Sequence, residues 1–237
     1  MERRLKLSAS GNYSEGGAGR YVVRPHDLLW CAEQSVGADA PAWANPLIAR
    51  GGPFVVRRAP RASDCLPVGV RGLARHQRFA MTIAADQVMK TVTPEQCAAR
   101  IERPTAKRRQ AIPALDALPA LAATLDSRRL CWGVTGAVGY ELATDEASCH
   151  AASDIDVLIR LPQRLTRRDA AGVVASLAML PVRCDIQMET PLGGVALADW
   201  AAGNDNVLVK SDQGPFLCAD PWVRSVAHER ASRSAAG

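Results

Sequence analysis

Apolar and polar positions alternate from Asp154 to Ile159. Ile155, Val157 and Ile159 fall on one side of an extended chain, and Asp154, Asp156 and Leu158 on the other. The same period returns at Val182, Cys184, Ile186 and Met188, with Asp185 opposite them. Both stretches read as strands with one buried face. Between them, Thr166 to Leu180 reads as a helix, with Thr166 as its cap and Asp169 at the capping-box position. A strand, a crossover helix and a second strand belong to one sheet. Asp154, Asp156 and Asp185 are therefore expected on one face of adjacent strands.

The remaining pattern supplies the neighbours. Leu130 to Val134 is a short apolar strand, and Thr135-Gly136-Ala137-Val138-Gly139 turns into a short helix through Leu142. Pro113 to Leu125 carries leucines at helical spacing, and Pro119 predicts a kink or a restart. Thr93-Pro94-Glu95-Gln96 opens a helix running to Ile101. Phe54 to Arg58 and Pro67 to Leu73 read as strands, Ala42 to Ile48 as a helix cut by Pro46, Val195 to Ala201 as a short helix and Val207 to Lys210 as a last strand. His26-Asp27, just after Pro25, reads as a helix start in preference to a catalytic dyad. The polar, basic run Arg103 to Gln110 marks a domain boundary. The predicted organisation is a disordered tail over 1–20, an arginine-rich α+β domain over 21–106, a catalytic domain over 107–226 and a loose tail over 227–237. The fold class is α+β, with a mixed sheet flanked by helices in the larger domain.

The acids carry the chemistry. Two carboxylates side by side on a strand repel, and a divalent cation removes the conflict. Mg²⁺, or Mn²⁺ in its place, takes hard oxygen ligands and bridges one or two carboxylates to substrate phosphates. Alone, an Asp-x-Asp is equally a solvated strand end. Asp185 on the same face turns the pair into a three-carboxylate site for one or two ions, with Asp185 a metal ligand or a base. Backbone N–H groups at Thr135, Gly136, Ala137 and Gly139 can cradle a phosphate at the helix start. Arg57, Arg58, Arg61, Arg71, Arg75 and Arg78 make one dense arginine run, whose bidentate forks suit substrate phosphates beside the acids.

Composition narrows the class. Hydrophobic residues make up 48% of the 237 and aromatics only 5%, so the core is built from Ala, Leu and Val. The net charge of +5 points to an anionic partner. Nucleic acid is the weaker choice, because carboxylates lining a groove repel a polyanion unless metal is bound. Seven scattered cysteines without a Cys-x-x-Cys pair argue against a zinc site or a disulfide framework, and for buried reduced thiols in a cytoplasmic protein. No apolar run reaches membrane-spanning or signal-peptide length.

The glycine turn, the Asp-x-Asp strand and the later Asp resemble the core of DNA-polymerase-β-like nucleotidyltransferases. Further segments narrow this. Arg24-Pro-His-Asp-Leu-Leu-Trp30, Val70-Arg-Gly72 with Arg75 and Gln77-Arg-Phe-Ala80, Gly133 to Thr144, Ser153-Asp-Ile-Asp156, Glu189-Thr-Pro191 and Asp220-Pro-Trp222 occur in this order. Together they resemble the malonate decarboxylase holo-acyl-carrier-protein synthases, the phosphoribosyl-dephospho-CoA transferases, from about Tyr21 to Trp222. Members of that family carry Gly-Ser where this chain has Gly136-Ala137, and a shorter run before the Asp-x-Asp. The resemblance implies a triphosphoribosyl-dephospho-CoA substrate, a serine on the apo acyl-carrier subunit of malonate decarboxylase as acceptor, and diphosphate release; Arg71, Arg75 and Arg78, which lie in a segment that carries it, are the arginines expected on the substrate phosphates. The citrate lyase counterpart, a small-molecule adenylylating enzyme, and a non-catalytic basic module binding RNA or carrier protein are the alternatives.

Overall fold

The computed structural model describes residues 22–223 apart from positions 63, 73 and 75. The expected tails over 1–20 and 227–237, and Arg75, lie outside the described residues. The chain opens with β1 (Leu28–Cys31), α1 (Asn45–Ala49), β2 (Phe54–Val56), β3 (Cys65–Arg71), β4 (Arg78–Ala84) and β5 (Val88–Val92). These strands form a five-stranded antiparallel sheet in the order β4-β3-β2-β1-β5. Phe54, Val56, Val68, Val70 and Ile83 bury one face of it against Ile48 of α1.

A helical stretch follows: α2 (Pro94–Ala98), α3 (Ala106–Ala111), α4 (Pro113–Asp116) and α5 (Leu118–Ser127). The expected capping box closes α2, with Gln96 N donating to Thr93 Oγ1 at 3.2 Å and Thr93 N to Gln96 Oε1 at 2.9 Å. Pro119 marks a restart, because α4 ends at Asp116 and α5 begins at Leu118.

The C-terminal half contains β6 (Cys131–Thr135), α6 (Gly136–Thr144), β7 (Ile155–Arg160), α7 (Arg167–Leu177), β8 (Cys184–Thr190), β9 (Gly193–Ala196), α8 (Leu197–Ala201), β10 (Val207–Ser211) and β11 (Gly214–Cys218). Its six strands run in the order β11-β10-β9-β8-β7-β6. Only β7 and β8 are parallel, joined through α7 as the pattern predicts. The sheet is mixed and the fold is α+β.

Packing explains why the acids share a face. Ile155, Val157, Ile159 and Met188 are wholly buried, in one core with Leu121 and Leu125 of α5 and Val173 and Leu177 of α7. The opposite side meets the N-terminal half. Gly133 lets α2 sit directly on β6, since a Cβ there would lie 2.3 Å from the Pro94 carbonyl carbon. Leu158, on that side, is also buried. Leu28, Val92 and Cys97 join the larger core, so the two halves share apolar packing.

Four sequence expectations change. Residues 24–27 form a turn leading into β1, not a helix start, because the following Leu-Leu-Trp run pairs with β2 and β5. The glycine pair Gly193-Gly194 hides β9, which pairing with β8 and β10 holds extended. Gly214-Pro215-Phe216 begins β11, and Pro215 is tolerated because this is an edge strand. All seven cysteines are free, but Cys131 is exposed and Cys65 and Cys184 are half-buried. No helix among the described residues is long and apolar enough to cross a membrane.

Candidate active site

The register sets the site. Asp156 pairs with Thr135 of β6 on one side and Asp185 of β8 on the other. These three residues form a row across the sheet, and Asp154 stands two residues upstream of Asp156. Below the row, Arg160 is held by Glu95 of α2, its Nε 2.7 Å from Glu95 Oε1. The acids thus lie where the covering by the N-terminal half stops.

Electrostatics mark the row as strained in charge. Asp156 has its pKa raised, first by burial and then by the carboxylates of Asp154 and Asp185. Arg71 and Arg78 act in the opposite direction. Asp185 is half in water and takes a forked contact from Arg183, with N–O distances of 2.8, 3.0 and 3.1 Å. Among the described residues, no three His, Cys, Asp or Glu side chains close into a metal cage. A two-carboxylate donor set of hard oxygens, mutually repelling in a partly dry site, fits the way Mg²⁺ is bound with substrate phosphates.

The helix start adjoins the acids. Gly136 has φ +64°, and a Cβ there would come 1.8 Å from Asp156 Oδ2. α6 has no side-chain hydrogen bond at its N-cap, Thr135. Its first backbone N–H groups are therefore available for an anion. Thr135 Oγ1 turns to the Asp156 carbonyl at 3.4 Å. Ala137 packs its methyl against the core. Gly139 allows the close approach of α6 to Val134, whose carbonyl oxygen would lie 2.5 Å from a Cβ. Gly136→Ala is expected to lower activity by at least tenfold, since the strain of a left-handed alanine is about 1–2 kcal/mol and the methyl also displaces Asp156. Kinetics alongside a thermal melt check this, and wild-type kinetics would show the turn to be tolerant.

Two cavities meet at the row. One, of about 540 Å³, lies between the halves and is lined by Arg57, Arg71, Arg78, Gly136, Gly139 and Tyr140 among others. The other, of about 680 Å³, runs past Asp185 and Lys210 along Val174, Leu177 and Leu197. His26, Thr135 and Asp156 line both. Arg71 and Arg78 are register partners on β3 and β4. Arg71 has its pKa lowered by burial and by the neighbouring Arg78 guanidinium. Among the described residues, none of Arg57, Arg71 and Arg78 has a carboxylate within 4 Å in a salt bridge. By contrast Arg58 of the same dense run is spoken for by Glu189.

Sequence reasoning brings Asp154, Asp156, Asp185 and the glycine turn to one place, with Arg71 and Arg78 across from them. It misses His26, set aside as a helix start, and does not separate Arg57 from its neighbours. No periodicity marks either residue, because a left-handed turn and a cross-domain cavity leave no local pattern.

The family model for the phosphoribosyl-dephospho-CoA transferase MdcG N-terminal domain matches residues 24–94, and that for the C-terminal domain matches residues 100–221. The chain is 42% identical over 200 residues to a phosphoribosyl-dephospho-CoA transferase of Pseudomonas putida (strain W619), covering 84% of this chain and 95% of that protein. It is 43% identical over 210 residues to that of Azotobacter vinelandii, covering 88% and 98%. It is 42% identical over 199 residues to that of Pseudomonas aeruginosa, covering 84% and 93%. No solved structure gives a significant match. With both family domains matched in order around a row of acids and a glycine-started helix, the chain belongs to the phosphoribosyl-dephospho-CoA transferase family and is a transferase.

Proposed function

We propose that this transferase moves the phosphoribosyl-dephospho-CoA group from its triphosphoribosyl precursor to a serine of the apo acyl-carrier subunit of malonate decarboxylase. The observation that carries the reading is the row Thr135-Asp156-Asp185 opening into a cavity walled by Arg57, Arg71 and Arg78. Three arginines without salt bridges among the described residues, lining one cavity with an uncapped helix start, suit a triphosphate. Asp154 and Asp156 would hold a divalent ion of the Mg²⁺ or Mn²⁺ kind, which when bound neutralises charge on attacking and leaving oxygens.

This chain's residues do the rest. The arginines and the α6 amides orient the triphosphate. The serine oxygen forms a bond to the α-phosphorus, the bond from that phosphorus to the bridging oxygen breaks, and diphosphate leaves with the electron pair. The serine proton passes to a carboxylate of the row or to water. Asp185 is the exposed member, and its partner Arg183 is itself largely exposed, so Asp185 can exchange the arginine for the acceptor hydroxyl or for a second ion.

The test is the intact mass of the apo carrier after incubation with substrate, Mg²⁺ and this protein. A gain equal to the prosthetic group supports the reading, and an unchanged mass refutes it. Transfer to the citrate lyase carrier instead would move the assignment to that relative. A linked prediction concerns the arginines. Arg71→Ala is expected to weaken substrate binding by roughly 1.5–3 kcal/mol, the range for hydrogen bonds to charged groups. Arg71→Lys should recover part of it, since the fork is lost but not the charge. Calorimetric titration with the substrate measures both, and carrier affinity should stay unchanged. An Arg71→Ala variant that binds as wild type does would place the triphosphate elsewhere.

A further inference from the structure

His26 is the side chain at the junction of the two cavities whose role the reaction above leaves open. Its backbone is left-handed, with φ 75°. That conformation is uncommon for a residue with a side chain, and it is concentrated at sites where geometry matters. It is fixed from both sides, because His26 N donates to Val56 O at 3.0 Å and Val56 N to Asp27 O at 2.8 Å. The turn thus sends residues 26 and 27 to different places. Asp27 is buried, accepting from Arg24 N, with Arg160 4.0 Å away, and His26 stands over β8.

The hydrogen bonds around the ring settle its tautomer. Gln187 Nε2 lies 2.8 Å from Glu189 Oε1 and 3.0 Å from His26 Nε2. Glu189 is paired with Arg58, so it is an acceptor carboxylate. The amide group facing it must be the NH₂, since a flipped amide would set oxygen against oxygen. An NH₂ has two protons and no lone pair to offer here. One proton goes to Glu189, and the other goes to His26 Nε2, which must therefore be the bare nitrogen. The ring then carries its proton on Nδ1, and burial independently favours the neutral form by pushing the pKa down to about 4. The chain Arg58, Glu189, Gln187, His26 thus uses up the lone pair and leaves Nδ1–H as the donor, with no partner of its own among the described residues.

We propose that His26 is a catalytic hydrogen-bond donor whose Nδ1–H contacts a non-bridging phosphate oxygen of the substrate at the junction of the two cavities and stabilises the charge developing there. The location follows from its neighbours, since Thr135 and Asp156 line the same junction. A base at this position would need the lone pair that Gln187 already occupies. A fixed neutral donor needs no reorganisation when charge builds up. The proposal rests on the reaction assigned above, and it adds a residue to that reaction.

Two variants and one spectrum test it. His26→Gly removes the ring without backbone strain. His26→Asn keeps an N–H close to the Nδ1 position and tolerates a left-handed backbone. Glycine should lower kcat about 100-fold, the effect of losing one oxyanion donor. Asparagine should keep within about tenfold of wild type, with an unchanged pH profile, which a base or a purely packing role would not allow. In ¹⁵N-histidine spectra, His26 should read as the neutral Nδ1–H tautomer across about pH 5 to 8, the range where an ordinary imidazole titrates. Its Nδ1 resonance should move when inorganic triphosphate and Mg²⁺ are added. Equal rates for the glycine variant and wild type, asparagine as slow as glycine, or an Nε2–H tautomer would each overturn the proposal. If the wild-type protein adds no mass to the carrier, the reaction assignment fails, and the triphosphate titration still decides His26.

Discussion

Asp156→Ala is expected to lower the transfer rate by roughly two orders of magnitude or more, the size of losing a principal electrostatic group, while the protein stays folded. Asp156 is the centre of the row, between Thr135 and Asp185 in register and in contact range of the Gly136 turn. Asp154→Ala should behave similarly. Chelation with EDTA should abolish transfer, and Mg²⁺ or Mn²⁺ should restore it. Transfer in metal-free buffer at the full rate would remove the metal from the mechanism.

The same residue gives a stability result of opposite sign. Its folded-state pKa is raised above 3.8 by burial and by its acidic neighbours. Stability from its protonation is therefore present below that unfolded value and is lost as pH rises through the folded one. At neutral pH the carboxylate is a net cost to the metal-free fold. Asp156→Asn should accordingly raise Tm at pH 7 in EDTA, and the gain should vanish in acid. A lower Tm at pH 7 would mean that the acid is structural. Activity and stability then part company at one position, as expected where charge is clustered for a ligand.

Glu141→Gln should produce the largest loss of stability, roughly 3 kcal/mol, at the low end for breaking a buried pair because Arg108 keeps some contact with water. Glu141 is buried in α6 and receives Arg108 Nε at 2.7 Å, Arg108 Nη2 at 2.9 Å, and the backbone N–H groups of Ser148 and Cys149 at 2.8 Å each. Arg108 Nη2 also donates to Cys149 O at 2.7 Å. The loop that delivers Asp154 is thus tied to α3 and α6. Burial alone would raise the pKa of Glu141, but Arg108 and the two backbone amides outweigh it and hold it at about 2. The stability it contributes is present above the unfolded value of 4.5 and fades as pH falls toward 2. Denaturant unfolding at pH 7 and pH 3 measures this: the difference between wild type and variant should shrink in acid. An equal difference at both values would show that the carboxylate's charge is not what the network uses. Transfer should also slow, because the loop before Asp154 loses its anchor.

Local alternation determined β7 and β8, and with them the shared face of Asp154, Asp156 and Asp185, because a period of two leaves only one way to bury Ile155, Val157 and Ile159. Capping chemistry likewise fixed the starts of α2 and α7 at Thr93 and Thr166. The α+β class and the clustering of the three acids were therefore legible in the residues themselves. Tertiary structure decided what had no local signature. Strand pairing turned residues 24–27 away from helix and pointed His26 at the site. It also drew Gly193 to Ala196 into β9 against glycine's own preference. Which arginines are available was decided by partners distant in sequence: Arg58 is matched by Glu189 and Arg108 by Glu141, while Arg57, Arg71 and Arg78 face a cavity. A charge is free or neutralised only by what the fold brings within a few ångströms, and sequence spacing does not contain that distance.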